Sequence, residues 1–423
     1  MEIDSKWDWG ADPVTRKDFK PITKSQLHQL GIGNTTLTKV NSLEELRETT
    51  PNIVVGDCVR YIRFVQNRFK NQELFRKNRY VMALGVYQQL HYIPDNHNIR
   101  VLKPSTIKFR NLYKPYLGQD LNNKTLLISR TGGIGDLLFI KPNLNFIKEK
   151  YPTCTINFCC GPQYQPMVET WDCIDNLLDL PFVVSHLFRS NYHGIFEGVI
   201  ERTREAETTN AYNLFSRWLG LDLPDELLRP KQEAKPKKVE ECKEILKTWK
   251  LDDKSFFITQ VRASSPIRSP RPSFWQKVIN VLTDKGHNIL ITDSPHQSDN
   301  VDRFIQSLKN QKRVFNFCKY SKSVDYTIAM VSLSQLSIST DSALIHIAQS
   351  LGIPAFGIYG PFPAFVRLKT YKNVDWVEGK CEAGPCFLHG RNPCPKNEGG
   401  YPVCYDNINI EEIVEKVEKL IDV

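Results

Sequence analysis

The 423-residue chain is 41% hydrophobic and 24% charged, an ordinary globular composition, and it is too long for a single core. No apolar window approaches the ~20 residues of a spanning helix, and the acidic start Met1–Asp4 lacks an export pattern, so the expectation is a cytoplasmic enzyme. The net charge of +9 is concentrated: residues 51–120 hold 12 Lys and Arg against 4 Asp and Glu, while residues 1–50 hold 7 against 8.

Residues 1–50 are polar and turn-rich, with no firm element predicted. From Asp57 to about Gln89 the pattern predicts helix, with basic and aromatic residues interleaved and Tyr61, Phe64 and Phe69 on one face. The excess charge there suggests an acidic partner, with a solvated helix face as the plain alternative. At Lys124 the character changes to strand–helix alternation. "TLLIS" (125–129) reads as a buried strand, Asp136–Lys150 as an amphipathic helix, and "TINFCC" (155–160) as a second strand, with a further helix near Tyr164–Trp171. "RPKQEAKPKKVEE" (229–241), with two prolines and alternating charges, predicts an exposed linker.

The alternation then restarts. Strands are predicted at 255–261, 288–292, 314–318, 336–340 and 355–360, with helices at Ser273–Asp284, Ser298–Lys309, Val324–Val331 and Ser342–Leu351. This spacing predicts an α/β protein with mostly parallel sheets covered on both faces. Two such units would leave a cleft at their strand C-terminal ends. The expected division is an extension over 1–123, domains over 124–235 and 236–408, and a terminal helix over 409–423.

Between the strand at 125–129 and its helix lies "SRTGGIGDLLFIKP" (129–142). Strand, glycines and helix place backbone N–H groups and a helix N-terminus toward an anion. Gly133 and Gly135 fit the first two glycines of the dinucleotide fingerprint, but Leu138 stands at the third. The second strand also ends "NFCCGPQ", without the acid that would hold a ribose, which argues against a nicotinamide enzyme. No Gly-Lys-Ser/Thr follows, so a Walker loop is excluded. Asp136 can simply favour the helix dipole, worth about 0.3–1 kcal/mol, or act as a general base toward an incoming hydroxyl.

"ISTDSALIHIAQSLGIPAFGIYGP" (338–361) and "GGIGDLLFIKPNLNFIKEKYP" (132–152) both resemble segments of the heptosyltransferase family, glycosyltransferase family 9. The resemblance runs over about 124–421 and does not reach residues 1–123. It implies a GT-B fold, two Rossmann-like domains with donor and acceptor meeting in the cleft. It also implies inverting transfer from a nucleotide-diphospho-sugar such as ADP-heptose, with no cofactor or catalytic metal required. By match to the family's motifs, Asp136 is the catalytic base, and Asp341 and Ser342 contact the donor's sugar and phosphates. His346 follows one turn later, and Ala343 stands where the family usually has glycine. In "QVRASSPIRSPRPSFWQKVI" (260–279), Arg268 falls closest to the family's phosphate-binding lysine, with Arg262, Arg271, Ser264 and Ser265 nearby. Arginine keeps the charge but offers a bidentate fork. Gln297 is nearest to a glutamate that helps hold the nucleoside. The residues independently support an anion site, since 341–346 begin a helix straight after a strand and leave N–H groups for a leaving diphosphate. Asp341 as a mere N-cap is the alternative.

Four of the 11 cysteines cluster late, as Cys381-x4-Cys386-x7-Cys394-x9-Cys404. Structural zinc, disulfides and unlinked thiols all stay open there, because the tight Cys-x2-Cys knuckle is missing. The other cysteines are expected to be reduced and buried. The leading expectation is a glycosyltransferase acting on a hydroxyl acceptor such as the lipopolysaccharide core. The basic 51–120 segment admits a polyanion acceptor, such as DNA carrying a hydroxylated base, and a non-catalytic sugar-nucleotide-binding module is the rival from another class.

Overall fold

The computed structural model describes residues 114–130, 133–179, 190–196, 199–202, 204–263, 265–388, 394–398 and 400–422, with the backbone of four strands nearer the N-terminus. Those strands are β1 (Leu37–Lys39), β2 (Ile53–Gly56), β3 (Tyr80–Ala83) and β4 (Ile99–Leu102), an antiparallel sheet in the order β1-β4-β2-β3. Residues 80–83 thus correct the helix predicted over 57–89. Tyr-Val-Met is a strand-favouring run, and its pairing with Ile-Val-Val of β2 overrides local periodicity. Tyr61, Phe64 and Phe69 lie outside the described residues.

The chain forms two compact units, one of Met1–Gly132, Leu144–Glu197 and Trp218–Leu221, the other of Gly133–Asn143, Gly198–Arg217 and Asp222–Val423. The first contains a parallel sheet of β5 (Thr125–Arg130), β6 (Thr155–Cys160), β7 (Asn176–Asp179) and β8 (Tyr192–Ile195), ordered β7-β6-β5-β8. Beyond Thr125 every residue of β5 is buried, which explains its apolar run Leu126–Ile128. β7 and β8 have four residues each and gave no readable pattern. Gly194 in β8 is required by close packing, because a Cβ there would lie 2.6 Å from Ile128 Cδ1 and 2.8 Å from Leu219 Cδ2. Helix α1 (Ile134–Lys150) follows β5, with Asp136 in its first turn and Lys148 and Lys150 in its last, charges that suit its dipole.

The second unit carries α2 (Ala211–Trp218), most of whose residues belong to it, and then α3 (Pro236–Trp249). The predicted linker at 229–241 is therefore half helix. Its alternating charges are the outer face of α3, paired as Lys238–Glu241 and Lys243–Glu240, while Cys242 and Leu246 are buried. Upstream, Leu228 and Gln232 are also buried. A six-stranded parallel sheet follows, formed by β9 (Phe256–Gln260), β10 (Asn288–Ile291), β11 (Val314–Asn316), β12 (Leu336–Thr340), β13 (Ala355–Tyr359) and β14 (Val374–Glu378). Its order is β11-β10-β9-β12-β13-β14.

Helices α4 (Pro272–Asp284), α5 (Ser298–Gln306), α6 (Val324–Leu333) and α7 (Ala343–Ser350) alternate with these strands. The small hairpin β15 (Asn397–Glu398) and β16 (Tyr401–Pro402) and the amphipathic α8 (Ile410–Ile421) complete the unit. One core joins Phe257, Trp275, Ile291, Ile338, Phe356 and Val417. The two Rossmann-like sheets expected from the sequence are both present, in an α/β fold. The order of the larger sheet reverses between β9 and β12, the place where such sheets bind ligands beyond their strand C-termini.

Candidate functional site

Residues leaving β9 and β12 meet at that reversal. Asp341 directly follows the fully buried β12 and is itself buried. Arg268, in the turn Pro266–Arg268 after β9, donates from Nη1 to Asp341 Oδ2 at 3.2 Å and to the Asp341 carbonyl oxygen at 2.9 Å. Arg367 Nε stands 3.9 Å from Asp341 Oδ1, buried beneath solvent, with its guanidinium over the Phe362 ring. Burial pushes the Asp341 carboxyl up, but the charges of Arg268, Arg367 and His346 outweigh it and hold its pKa below the ordinary value. Asp341 is thus occupied with arginines, and Ser342 is the N-cap of α7. Its Oγ accepts from Leu344 N at 3.3 Å and lies 2.7 Å from Ser339 Oγ. Ala343 is the first residue of that helix.

His346 sits one turn along α7, buried, and burial lowers its pKa to about 4, so the ring is neutral at pH 7. Its Nδ1 lies 2.7 Å from the Tyr371 hydroxyl, and the Phe139 ring meets it edge to face at 4.9 Å and 82°. Phe139 belongs to α1, whose first residues pack in the same compact unit. There the glycine loop explains itself. Gly133 has φ +73°, and a Cβ on it would lie 2.5 Å from Asp136 Oδ2, so the half-buried carboxylate folds back over bare backbone. A Cβ on Gly135 would lie 2.8 Å from His346 Cδ2. Leu138, at the third fingerprint position, is buried in the core. Asp136 therefore stands one residue beyond a glycine that touches the His346 ring.

Arg262 is half exposed and pairs with Asp293 at 3.4 Å. Gln297 ends a short turn before α5 and accepts from Asn300 Nδ2 at 2.8 Å. Both line a cavity of about 380 Å³, walled also by Trp275, Phe304 and Tyr401. A mostly apolar wall with a few polar groups at its rim suits a planar ring with polar edges. Arg271 is held by Asp406 at 2.7 Å and Glu398 at 3.5 Å, which ties the small hairpin beside this cavity. Ser265 is buried, and its carbonyl oxygen accepts from Ser269 Oγ. Ser264 lies outside the described residues. Arg367, Tyr371, Tyr212 and Tyr401 are isolated residues in stretches without a motif, and Trp275 lies in the 260–279 segment with no local signal of a place in the cavity wall.

All four late cysteines are free thiols, with Cys404 buried and the others half-buried. Burial, then the proximity of Cys381, Cys394 and Cys386, pushes the Cys404 thiol up to about 12. Yet among the described residues no three His, Cys, Asp or Glu side chains converge as a metal-ligand set. No chemistry is assigned to a metal there.

Residues 210–390 match the model of glycosyltransferase family 9 (heptosyltransferase). No curated protein matches the chain. Among solved structures, the glycosyl transferase family 9 protein of Veillonella parvula DSM 2008 superposes with a TM-score of 0.56 at 15% identity, covering 72% of this chain and 98% of that one. The ADP-heptose LPS heptosyltransferase II of E. coli does so at 0.53 and 14% identity, covering 70% and 98%. The iron-containing dodecameric glycosyltransferase TibC of enterotoxigenic E. coli H10407 does so at 0.51 and 12%, covering 71% and 76%. Identities this low speak for a common fold, and the function rests on the family match. The signature segment 338–361 lies inside the matched residues, so this part of the chain is similar to the heptosyltransferases of glycosyltransferase family 9, which supports a glycosyltransferase.

Proposed function

We propose that this glycosyltransferase moves a sugar, with inversion and without a catalytic metal, from a nucleotide diphosphate to a hydroxyl of a glycan acceptor such as the lipopolysaccharide core. The observation that carries this reading is the contact of Gly135 with His346, one residue before Asp136 and on the helix that follows Asp341. It brings a carboxylate and an anion site into one compact unit. Asp136 takes the proton of the acceptor hydroxyl, whose oxygen attacks the anomeric carbon opposite the leaving group. As that C–O bond forms, the bond from the anomeric carbon to the diphosphate oxygen breaks, and its electron pair leaves with the diphosphate.

Arg268, oriented by Asp341, and the amides at the start of α7 stabilise the charge that develops there. Ser342, Ala343, His346 and Gly133 complete the phosphate and sugar surroundings in this reading. Arg262 and Gln297, on the rim of the 380 Å³ cavity, face the nucleoside. An ADP-linked sugar is the proposed donor, by analogy with the E. coli ADP-heptose LPS heptosyltransferase II. No described helix is long and apolar enough to cross a membrane, and a cytoplasmic site of action is part of the proposal. Most of the basic 51–120 segment lies outside the described residues, and nothing among them supports a nucleic-acid acceptor.

The test pairs binding with turnover. A panel of ADP-, UDP-, GDP- and CMP-linked sugars is screened by thermal shift, since a ligand that prefers the folded state raises Tm. Product formation on lipopolysaccharide-core acceptors is then followed for the wild type and Asp136→Asn. Turnover should fall by roughly 10²–10⁴-fold while the donor dissociation constant changes less than about twofold. Unimpaired turnover in Asp136→Asn would remove the base assignment, and no stabilisation by any donor would remove the reading as a whole.

A further inference from the structure

Beneath the glycine loop runs a buried series of three side chains whose last two members take no part in the proposed reaction. The Tyr371 hydroxyl lies 2.7 Å from His346 Nδ1 and 2.5 Å from the Tyr212 hydroxyl. All three residues are buried. Three donors in series share two hydrogen bonds, so each order leaves one proton over, and the place of that proton separates the orders. If Nδ1 carried the imidazole proton, it would donate to Tyr371, and one tyrosine proton would be left inside the packing, that of Tyr212 if Tyr371 donates to it or that of Tyr371 if it accepts from both. Neither hydroxyl has a further acceptor among the described residues, a cost that a dry interior magnifies. In the opposite order Tyr212 donates to Tyr371 and Tyr371 donates to Nδ1. Every hydroxyl proton is then bonded, and the neutral ring carries its own proton on Nε2.

The ring cannot turn away from this arrangement. Phe139 packs edge to face against His346 and, at 4.5 Å and 74°, against Tyr212 as well. The Cδ2–Nε2 edge faces the glycine loop, since a Cβ on Gly135 would lie 2.8 Å from Cδ2 and 3.4 Å from Nε2. No protein acceptor for Nε2–H is found among the described residues.

We infer that Tyr371, backed by Tyr212, is a positioning residue that fixes the His346 tautomer and so presents a neutral Nε2–H donor at the glycine loop to an oxygen of the donor's diphosphate. This rests on the reading above in which His346 faces the donor. The other tautomer would turn a lone pair toward the same oxygen and repel it.

Long-range ¹H–¹⁵N correlations of the histidine rings in uniformly labelled full-length protein read the tautomer directly, with the His346 signals identified by their loss in His346→Gln. The wild type should show the Nε2–H pattern. Tyr371→Phe should shift it toward Nδ1–H and weaken binding of ADP roughly 3- to 10-fold. An Nδ1–H pattern in the wild type overturns the inference, even if Tyr371→Phe fails to fold. An unaltered pattern in a folded Tyr371→Phe overturns it too. A shifted tautomer with an unchanged ADP dissociation constant overturns the positioning role. If ADP does not bind the wild type, the donor reading fails, while the wild-type spectrum still decides the order of the hydrogen bonds.

Discussion

Asp341→Asn keeps the shape of the side chain and removes its charge. Asp341 is buried with its carboxylate between two arginines, 3.2 Å from Arg268 Nη1 and 3.9 Å from Arg367 Nε. The Arg367 side chain is 7% exposed, and among the described residues no other carboxylate pairs with it. The substitution therefore leaves a buried guanidinium without its anion, which typically costs about 3–5 kcal/mol. That is a large share of the ~5–15 kcal/mol by which a domain is stable. For a unit of this size it lowers Tm by roughly 6–20 °C, measurable by differential scanning fluorimetry at pH 7.

The pH dependence carries a second signature. The folded carboxyl titrates below its unfolded value near ~3.9, so its contribution is complete above that pH and is lost as the pH falls through the folded value. The gap between wild type and Asp341→Asn should hold at pH 5–8 and narrow in stronger acid, where the wild-type carboxyl is also neutral. A Tm within ~2 °C of wild type at pH 7, or a gap that does not narrow in acid, would refute the argument that this ion cluster holds the β9–β12 junction together.

Two further substitutions test the close approaches. Gly135→Ala gains up to about 1 kcal/mol of helix propensity but forces a methyl against the pinned His346 ring, where overpacking costs about 1–3 kcal/mol. Stability should therefore fall by up to about 2 kcal/mol, while binding of the best nucleoside diphosphate weakens roughly tenfold, as isothermal titration would show; an unchanged dissociation constant contradicts the contact. Gly379→Ala would place a Cβ 2.0 Å from the Cys404 carbonyl oxygen, a backbone atom that cannot swing aside. A loss of about 3 kcal/mol is expected, with faster labelling of Cys404 by maleimide as its loop loosens.

Much of the architecture was written locally. Strands β5, β6, β9, β10 and β13 are mostly apolar because their sheets are covered on both sides, and such runs are readable without tertiary knowledge. The glycine loop and the Thr-Asp-Ser segment were visible for the same reason, since strand-to-helix corners constrain the residues that form them. Reading failed where distant partners decide. Residues 80–83 are a strand only because residues 53–56 pair with them, and 236–241 are helical because Cys242 and Leu246 have a core to enter.

The candidate site divides along the same line. Asp136, Asp341, Ser342 and His346 lie in motifs whose order along the chain announces them. What each one does was set by residues far away in sequence: Arg367 and Arg268 around Asp341, Tyr371 and Tyr212 behind His346, and His346 itself against Gly135. Periodicity records which way a side chain faces along its own helix or strand. Charge pairing, tautomer choice and the need for a missing Cβ arise from groups that only folding brings within a few ångströms, and no local pattern encodes them.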